Sequence, residues 1–331
     1  MKTILFRVDG GIHQDIGTGH IARSILLANR LKERYKIEFI SLNEDGFEYG
    51  HEKIKNAGFS LKLIASIEYL NNLKSLIREI SPSFIICDLY QYNDKELYVL
   101  RAEKKIPLLT FDHFEDHKNL SKYPINAVVA EANNYFEGLN YIILPEFNYQ
   151  SILFSIEVKQ IFVCFGGFDF LDLTFRTIKS LLKVNLTINV VIVVGSIYDK
   201  QKIYNKFGTN FPKNVSILSQ PKDFNSLIAE SQVAIVSGGL TLFQCLAAGV
   251  ASIVMCQYEH QLITMKDFER YQAFFNLGIG NNVLISKLEE KLFSLIDDAE
   301  SRAVLFNNAR GIVDGLGLDR CLRLIENEIE E

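Results

Sequence analysis

The sequence lacks a surplus of basic residues. Its 331 residues include 35 lysines and arginines against 40 aspartates and glutamates, a formal net charge of −5. This charge argues against a broad nucleic-acid surface, because such a surface needs a basic field to neutralise phosphates. A small phosphate site is still compatible with it, since backbone N–H groups at a helix start can hold a phosphate without lysine.

The sequence also lacks long apolar runs and paired cysteines. No stretch approaches the ~18 apolar residues of a membrane span, and the N-terminal apolar run ends at Arg7, which is typical of a first strand rather than a signal peptide. The cysteines are odd in number and never form a C-x-x-C pair, so we expect buried thiols in a reducing cytoplasm. They are Cys87, Cys164, Cys245, Cys256 and Cys321.

Short β-branched runs alternate with longer amphipathic segments, and the alternation begins again in the second half. This pattern predicts βαβ units around parallel sheets, and the length fits two domains. The predicted helices include 21–33, 68–80 and 94–103. The predicted strands are 3–8, 37–41, 61–64, 84–88, 108–112 and 127–129 in the first half, and 160–165, 188–194, 215–218, 233–236 and 252–256 in the second.

The segment 144–158, LPEFNYQSILFSIEV, interrupts the alternation and predicts a linker. We therefore predict an N-terminal Rossmann-like domain at 1–150 and a C-terminal one at 151–331. The last helix, at 318–331, is compatible with packing on either domain, including a return to the first. Two doubly wound α/β domains in tandem predict a central cleft between the carboxyl ends of their sheets.

The first candidate motif is FRVDGGIHQDIGTGH. A strand ends at Val8, and Gly17, Gly19 and His20 open an amphipathic helix. Glycines there let the backbone approach a ligand, and the helix start favours an anion and an imidazole that accepts a proton. The spacing matches neither G-x-G-x-x-G nor a P-loop, so a tight turn with a capping histidine is an equally good interpretation.

Two further motifs follow strands of the second half. In FVCFGGFD, Gly166, Gly167 and Asp169 predict a phosphate- or sugar-side loop, with Asp169 as a helix cap the even alternative. In VSGGLTLFQ, the paired glycines of 237–239 precede a helix and suit a pyrophosphate. The next strand ends in the polar cluster 257–261, QYEHQ, which favours a functional interpretation.

These motifs in this order resemble the nucleotide-sugar hydrolases of pseudaminic acid biosynthesis, which remove UDP from a 2,4-diacetamido-2,4,6-trideoxy sugar. The motifs are FR-x-D, G-x-GH-x-x-R, FGG-x-D, SGGLTLFQ-x-x-AAG and HQ. Those enzymes are similar to the N-acetylglucosaminyltransferase of peptidoglycan synthesis and to spore coat polysaccharide proteins. The resemblance covers nearly the whole chain and implies a glycosyltransferase-B fold.

The resemblance implies roles for the matching residues. His20 corresponds to the catalytic histidine, and His260 stands where the hydrolases have a polar active-site asparagine. Asp88, at the end of its strand, is a further substrate-contact candidate, although a turn role fits equally well. The implied substrate- and nucleotide-binding residues are Arg7, Asp9, Gly17, Gly19, Gly166, Gly167, Asp169, Ser237, Gly238, Gly239, Leu240, Thr241, Gln244 and Gln261.

Two positions depart from the family pattern. Gln244 replaces a glutamate that accepts hydrogen bonds from the ribose, and an amide is a weaker acceptor than a carboxylate. Leu144 replaces an arginine. Among weaker signals, DHFEDH at 112–117 suggests a metal site, but a solvated loop fits better. His13 is a candidate sugar contact, and we expect His51 at the surface.

We therefore predict a cytoplasmic enzyme without metal or cofactor that cleaves a nucleotide sugar at the anomeric carbon, with His20 as general base. The alternative is an inverting glycosyltransferase of the same fold, in which His20 deprotonates an acceptor hydroxyl. A third class, a silent nucleotide-sugar binding protein, is less compatible with a histidine at this position. The expected partner is the nucleotide sugar, without nucleic acid, and the sequence is compatible with a monomer.

Overall fold

The computed structural model describes residues 1–11, 18–102, 106–112, 120–129, 136–183, 187–195, 198–207 and 212–331. These residues fall into two compact units. The first contains Met1–Pro145 and Leu316–Glu331, and the second contains Glu146–Gly315. The C-terminal helix thus belongs to the first unit, and the division lies a few residues before the boundary expected at 150.

The first unit contains a six-stranded parallel sheet. Its central strands are almost wholly buried, as expected for a parallel sheet with helices on both faces. The strands are β1 (Thr3–Val8), β2 (Lys36–Leu42), β3 (Ser60–Ile64), β4 (Phe84–Asp88), β5 (Leu108–Phe111) and β6 (Tyr123–Ile125). Their order across the sheet is β3-β2-β1-β4-β5-β6.

The second unit repeats this architecture. Its strands are β7 (Gln160–Cys164), β8 (Asn189–Val194), β9 (Val215–Ser219), β10 (Val233–Val236), β11 (Ala251–Cys256) and β12 (Phe274–Ile279). Their order is β12-β11-β10-β7-β8-β9, which is the doubly wound order 3-2-1-4-5-6 when the strands are counted from β7. The predicted pair of doubly wound α/β units is confirmed.

Helices connect the strands within each unit. In the first unit they are α1 (Gly19–Leu31), α2 (Glu48–Asn56), α3 (Tyr69–Ile80), α4 (Asp94–Ala102) and, at the end of the chain, α12 (Gly317–Glu330). In the second they are α5 (Leu173–Lys183), α6 (Lys200–Phe207), α7 (Phe224–Ala229), α8 (Leu240–Ala248), α9 (Glu259–Phe268), α10 (Ile285–Asp297) and α11 (Ala299–Ile312). None of the described helices is long and apolar enough to cross a membrane.

The strand order reverses between β1 and β4 in the first unit and between β7 and β10 in the second. Doubly wound sheets bind their ligands outside the carboxyl ends of the strands at such a reversal. In the first sheet Val8 pairs with Asp88, and in the second Val236 pairs with Cys164. The candidate motifs therefore leave each sheet at its reversal point.

Two strands differ from the prediction by more than one residue at an end. The sixth strand is Tyr123–Ile125 rather than 127–129. The prediction missed it because Pro124 lies within it, and a proline in a sheet is found mainly in edge strands such as this one. The twelfth strand, at the edge of the second sheet beside β11, was not predicted, because Asn276 and Gly278 interrupt its apolar run.

The buried thiols are confirmed, whereas the position of His51 was wrong. All five cysteines are free and buried. The expectation that His51 lies at the surface fails because Nε2 of its ring is 3.0 Å from the carbonyl oxygen of Leu42 and 3.2 Å from the hydroxyl of Ser41. Its residue exposure is only 5%.

Candidate active site

His20 and Asp88 meet at the carboxyl edge of the first sheet, where the strand order reverses. His20 lies in the first turn of α1, and Asp88 is the last residue of β4. The Nδ1 atom of His20 lies 2.6 Å from Oδ1 of Asp88, although the residues are 68 positions apart in the chain. The parallel pairing of β1 with β4 brings these two distant segments together.

The Asp88 carboxylate determines which nitrogen of His20 carries the proton. Burial would raise the pKa of Asp88, but Arg23 and His20 outweigh it and lower this pKa to about 2. An ionised carboxylate only accepts hydrogen bonds, so the Nδ1–H group of His20 is the donor. In the neutral imidazole, Nε2 then carries the lone pair and is the nitrogen that can take a proton. The His20 side chain is 18% exposed, whereas that of Asp88 is fully buried.

Arg23 lies one turn further along α1 and binds both Asp88 and Asp112. Its Nε and Nη2 atoms donate to the two oxygens of Asp88 at 2.8 and 2.7 Å, and Nη1 donates to Asp112 at 2.7 Å. The guanidinium carbon lies 4.4 Å from the centroid of the Phe111 ring, a cation–π contact. Burial lowers the pKa of Arg23, but Asp112 and Asp88 raise it well above its ordinary value.

Four side chains thus form a continuous relay: His20, Asp88, Arg23 and Asp112. Two carboxylates and one guanidinium give the relay a net negative charge, which a proton arriving on His20 neutralises. Asp112 also has a φ of +52°, in a region that residues with side chains seldom adopt. Strained backbone of this kind clusters at functional sites.

Sequence reasoning assigned no role to Arg23 and considered Asp112 only for a metal. Arg23 stands in the G-x-GH-x-x-R motif, and the i, i+3 spacing from His20 on one helix face was the available signal. The partnership with Asp112 joins residues 89 positions apart, so it depends on the sheet order and has no local pattern.

Arg7 and Asp9 belong to a separate buried cluster. Arg7 donates from Nη2 to Asp9 and from Nε to Glu96, both at 2.7 Å. Asp9 also accepts from the Ser41 hydroxyl at 2.9 Å and from the N–H group of Leu42 at 2.8 Å. Arg7 is 1% exposed and Asp9 is 7% exposed, and both bond to other groups of the protein. This favours a structural role for them, in which they hold the end of β1 in place. Substrate binding by them stays a prediction.

For the other residues predicted in the first unit, the structure gives little or no evidence of a contact. Gly19 is exposed, and a Cβ built on it would meet no atom within 4 Å. Within the described ranges, no group of three metal-ligating side chains lies together. The residues that fall outside those ranges are His13, Gly17, His113, Asp116 and His117.

In the second unit, the loop after β7 contains Gly166, Gly167 and Asp169. Gly166 has a φ of +81°, which favours glycine. Asp169 accepts from the N–H groups of Leu173 at 2.8 Å and Thr174 at 2.7 Å and so caps the start of α5. Burial raises the pKa of Asp169 despite these bonds. Asp169 therefore caps the start of α5, as the alternative interpretation expected. A phosphate or sugar role for the loop stays a prediction.

The turn after β10 leads directly into α8. Gly238 must be small, because a Cβ there would lie 2.8 Å from Cγ of Met265. Ser237 is buried, and Gly239 is the last residue before the helix. Leu240 and Thr241 begin the first turn of α8, where backbone N–H groups have no intrahelical acceptor, and no side chain of the described residues caps this helix start. This helix start is therefore suited to an anion.

The side chains of Gln257 and Gln261 lie beside this turn and are held in place by hydrogen bonds. Oε1 of Gln261 accepts from the N–H group of Gln257 at 2.9 Å, so its Nε2 donors point elsewhere. That Nε2 lies 3.8 Å from where a Cβ of Gly239 would be. Gln257 donates to the carbonyl of Phe165 at 2.7 Å and accepts from the N–H group of Phe170 at 3.0 Å. The pair thus joins the loop after β7 to the turn after β11.

Gln244 and His260 differ sharply in exposure. Gln244 is only 4% exposed, and its Nε2 donates to Oδ1 of Asn225 at 2.8 Å. It also hydrogen-bonds the Tyr149 hydroxyl. These contacts favour a structural role, and ribose binding by Gln244 stays a prediction. His260 is exposed, and its ring stacks on Tyr258 with centroids 5.2 Å apart.

No family model matches the chain. Among curated proteins it is 25% identical over 342 residues to the spore coat polysaccharide biosynthesis protein SpsG of Bacillus subtilis, a match that covers 98% of this chain and 97% of SpsG. It is also 25% identical over 270 residues to the pseudaminic acid cytidylyltransferase and UDP-2,4-diacetamido-2,4,6-trideoxy-beta-L-altropyranose hydrolase of Helicobacter pylori. That match covers 76% of this chain but only 47% of the Helicobacter protein, whose name carries two activities.

Solved structures identify the fold. MurG of Acinetobacter baumannii superposes with a TM-score of 0.76 at 14% identity, covering 99% of this chain and 100% of MurG. The spinosyn rhamnosyltransferase SpnG complexed with thymidine diphosphate gives a TM-score of 0.66 at 12% identity, covering 98% of this chain and 100% of SpnG. The chain has the glycosyltransferase-B fold, and the similarity that its motifs predicted is confirmed.

Proposed function

We propose that this protein hydrolyses a nucleotide-activated sugar at its anomeric carbon with inversion of configuration. The pair of His20 and Asp88 carries the proposal. A histidine whose Nδ1 is fixed at 2.6 Å by an ionised, fully buried carboxylate has one defined basic nitrogen, which is what a general base requires.

In the proposed step, Nε2 of His20 takes a proton from water as the water oxygen attacks the anomeric carbon. The bond between that carbon and the phosphate oxygen breaks on the opposite face, and the diphosphate leaves as an anion. Asp88 stabilises the imidazolium that forms, while Arg23 keeps Asp88 ionised and in position. Asp112 balances the charge of Arg23, so the relay becomes neutral when His20 gains the proton.

The second unit binds the nucleoside diphosphate in this proposal. The N–H groups at the start of α8 and the Nε2 donors of Gln261 are the groups suited to the phosphates. Because Gln257 fixes Gln261 beforehand, these donors need not reorganise as charge develops on the leaving group. The loop of Gly166 and Gly167, joined to the same glutamines through Phe170, completes the proposed site.

The proposed substrate is a UDP-activated 2,4-diacetamido-2,4,6-trideoxyhexose or a related sugar of nonulosonic acid or surface glycan biosynthesis. Two observations support this choice. The motif order resembles that of the hydrolases acting on such sugars, and one relative bears that substrate in its name. SpsG, matched along almost its whole length, is named for surface polysaccharide biosynthesis.

The second candidate is an inverting glycosyltransferase in which His20 deprotonates a glycan or lipid hydroxyl. The fold supports it, because a neighbour among solved structures is the calicheamicin glycosyltransferase CalG4, with a TM-score of 0.69. The chemistry at the anomeric carbon is the same for both candidates, and only the nucleophile differs.

Incubation with UDP-, CDP-, dTDP- and GDP-sugars, followed by NMR of the products, tests the proposal. We expect free sugar with an inverted anomeric configuration from a UDP-linked diacetamido-trideoxyhexose without any acceptor, and none from a His20→Asn variant. Slow release that a glycan or lipid acceptor accelerates strongly would establish the transferase instead. Tight binding of every donor without turnover would contradict both and indicate a binding protein.

A further inference from the structure

Four aromatic rings form a continuous row at the carboxyl edge of the second sheet. Phe168 stacks on Phe170 with centroids 5.9 Å apart, and Phe170 meets Tyr258 edge to face at 6.0 Å. Tyr258 stacks on His260 at 5.2 Å with an interplanar angle of 10°. We call these four residues the aromatic row. Phe168 lies within the FGG-x-D motif and Tyr258 within the QYEHQ cluster, but no role has been assigned to either ring or to that of Phe170.

The aromatic row joins the two loops on either side of β10. Phe168 and Phe170 belong to the loop after β7, and Tyr258 and His260 to the turn after β11. Because β10 lies between β7 and β11 in the sheet, the contact of Phe170 with Tyr258 spans the edge at which β10 turns into α8. The rings therefore lie beside the helix start that the proposed function assigns to the diphosphate.

The aromatic row is both exposed and fixed in position. Phe170 is 45% exposed and His260 is exposed, so these rings leave apolar faces in water. The backbone N–H group of Phe170 donates to Gln257, whose own amide donates to Phe165. Exposed rings held rigidly at the ligand-binding edge of a doubly wound sheet are typical of a ligand surface.

We propose that the aromatic row is the surface that recognises the sugar ring of the nucleotide sugar, an inference that rests on the proposed function. The rings of Phe168, Phe170 and Tyr258 carry no positive charge for a phosphate, but their faces suit the C–H groups of a pyranose that carries methyl and acetamido groups. The polar partners of Gln244, at the ribose end of the motif, are Asn225 of α7 and the Tyr149 hydroxyl, and neither belongs to the loops of the row. The row is therefore assigned to the sugar end of the diphosphate, with Phe170 and Tyr258 as specificity-determining residues.

Calorimetry with two ligands, UDP and UDP-2,4-diacetamido-2,4,6-trideoxy-beta-L-altropyranose, tests this inference in the full-length protein. All variants carry His20→Asn so that the sugar nucleotide persists. Adding Phe170→Ala or Tyr258→Ala is expected to weaken binding of the sugar nucleotide about three- to tenfold and to leave binding of UDP unchanged. Tyr258→Phe keeps the ring and should retain the parent affinity. Phe293→Ala, which truncates a 40% exposed ring of α10, is the matched control and should change neither affinity.

The outcomes separate the two hypotheses. Equal weakening for both ligands would assign the aromatic row to the nucleoside and overturn the inference. Unchanged affinity for both ligands in folded Phe170→Ala and Tyr258→Ala variants would also overturn it. Binding of neither ligand by the parent protein would overturn the proposed function itself, and the sugar surface with it.

Discussion

Replacement of Asp88 by asparagine should nearly abolish turnover while preserving nucleotide binding. Asp88 accepts three hydrogen bonds, one from His20 at 2.6 Å and two from Arg23 at 2.7 and 2.8 Å. An asparagine has only one oxygen, so its NH2 group replaces either Oδ1, which faces both His20 and Nη2 of Arg23, or Oδ2, which faces Nε of Arg23. If it faces His20, Nδ1 becomes an acceptor and Nε2 carries the proton, which removes the base. If it faces Arg23, two donors oppose each other in a buried site.

The magnitude follows from the charge that is lost. A pKa of about 2 against an ordinary value of 3.8 means that the native surroundings favour the ionised Asp88 by about 2 kcal/mol. The same charge would stabilise an imidazolium on His20, and a histidine without its orienting carboxylate loses about 10²- to 10⁴-fold in turnover. We expect Asp88→Asn to lower kcat by this factor. Binding of nucleoside diphosphate should change less than twofold, because the proposed phosphate groups belong to the second unit.

The assay is the release of nucleoside diphosphate from the substrate that the NMR panel identifies, with binding followed by calorimetry. Asp45→Asn, at an exposed position of the same unit, is the matched control and should retain wild-type turnover. Circular dichroism and thermal unfolding establish that Asp88→Asn is folded. A folded Asp88→Asn protein with wild-type kcat would refute the assignment of His20 and Asp88 as an oriented base.

Four other changes test the remaining contacts. His20→Asn should lower kcat by about 10²–10⁴ while nucleotide affinity in calorimetry stays near wild type, and an unchanged kcat would reject His20 as the base. Gln261→Leu removes the Nε2 donors and should weaken UDP binding about tenfold; equal affinity would exclude this side chain from the phosphate site. Gln244→Glu replaces the donor to Asn225 by a buried carboxylate and should lower the free energy of unfolding by about 1–3 kcal/mol in urea titrations; an unchanged free energy of unfolding would contradict the buried contact with Asn225. Because the pKa of Asp88 is lowered in the folded protein, the ionised Asp88 stabilises the fold above pH ~4, and this stabilisation is lost as the pH falls toward 2. The free energy of unfolding of Asp88→Asn should therefore fall less between about pH 4 and about pH 2 than that of the wild type, and an identical pH dependence would contradict this prediction.

The sequence predicted the central strands and two of the four edge strands, β3 and β9, to within one residue at each end. The bounds of β1, β4 and β10 match the prediction, because central parallel strands are continuous apolar runs with polar residues after them. The other two edge strands failed: β6 was misplaced and β12 was missed, because an edge strand tolerates Pro124 and Gly278, residues that mark turns elsewhere in a sequence. Apolar patterning thus records burial, and it weakens where burial is incomplete.

The candidate site was predicted as a set of loops rather than as a set of contacts. His20, Asp88 and Gln261 were named from their positions after strands, and the structure supplies what each one touches. The inward orientation of Gln244 could not be predicted, because its partner Asn225 comes from a different helix. The roles of all these residues remain predictions for the experiments above.

The return of α12 to the first unit has a consequence for synthesis on the ribosome. The second unit is one continuous stretch of 170 residues, whereas the first is completed only when Leu316–Glu331 emerges. At translation rates of roughly 5–20 residues per second, α1 waits about 15–60 s for α12, the helix that packs on it. Gly317 must then dock tightly, since a Cβ there would lie 2.1 Å from the carbonyl oxygen of Ile142. Until α12 has been synthesised, the nascent first unit is therefore the part of this chain that offers a chaperone an exposed apolar surface.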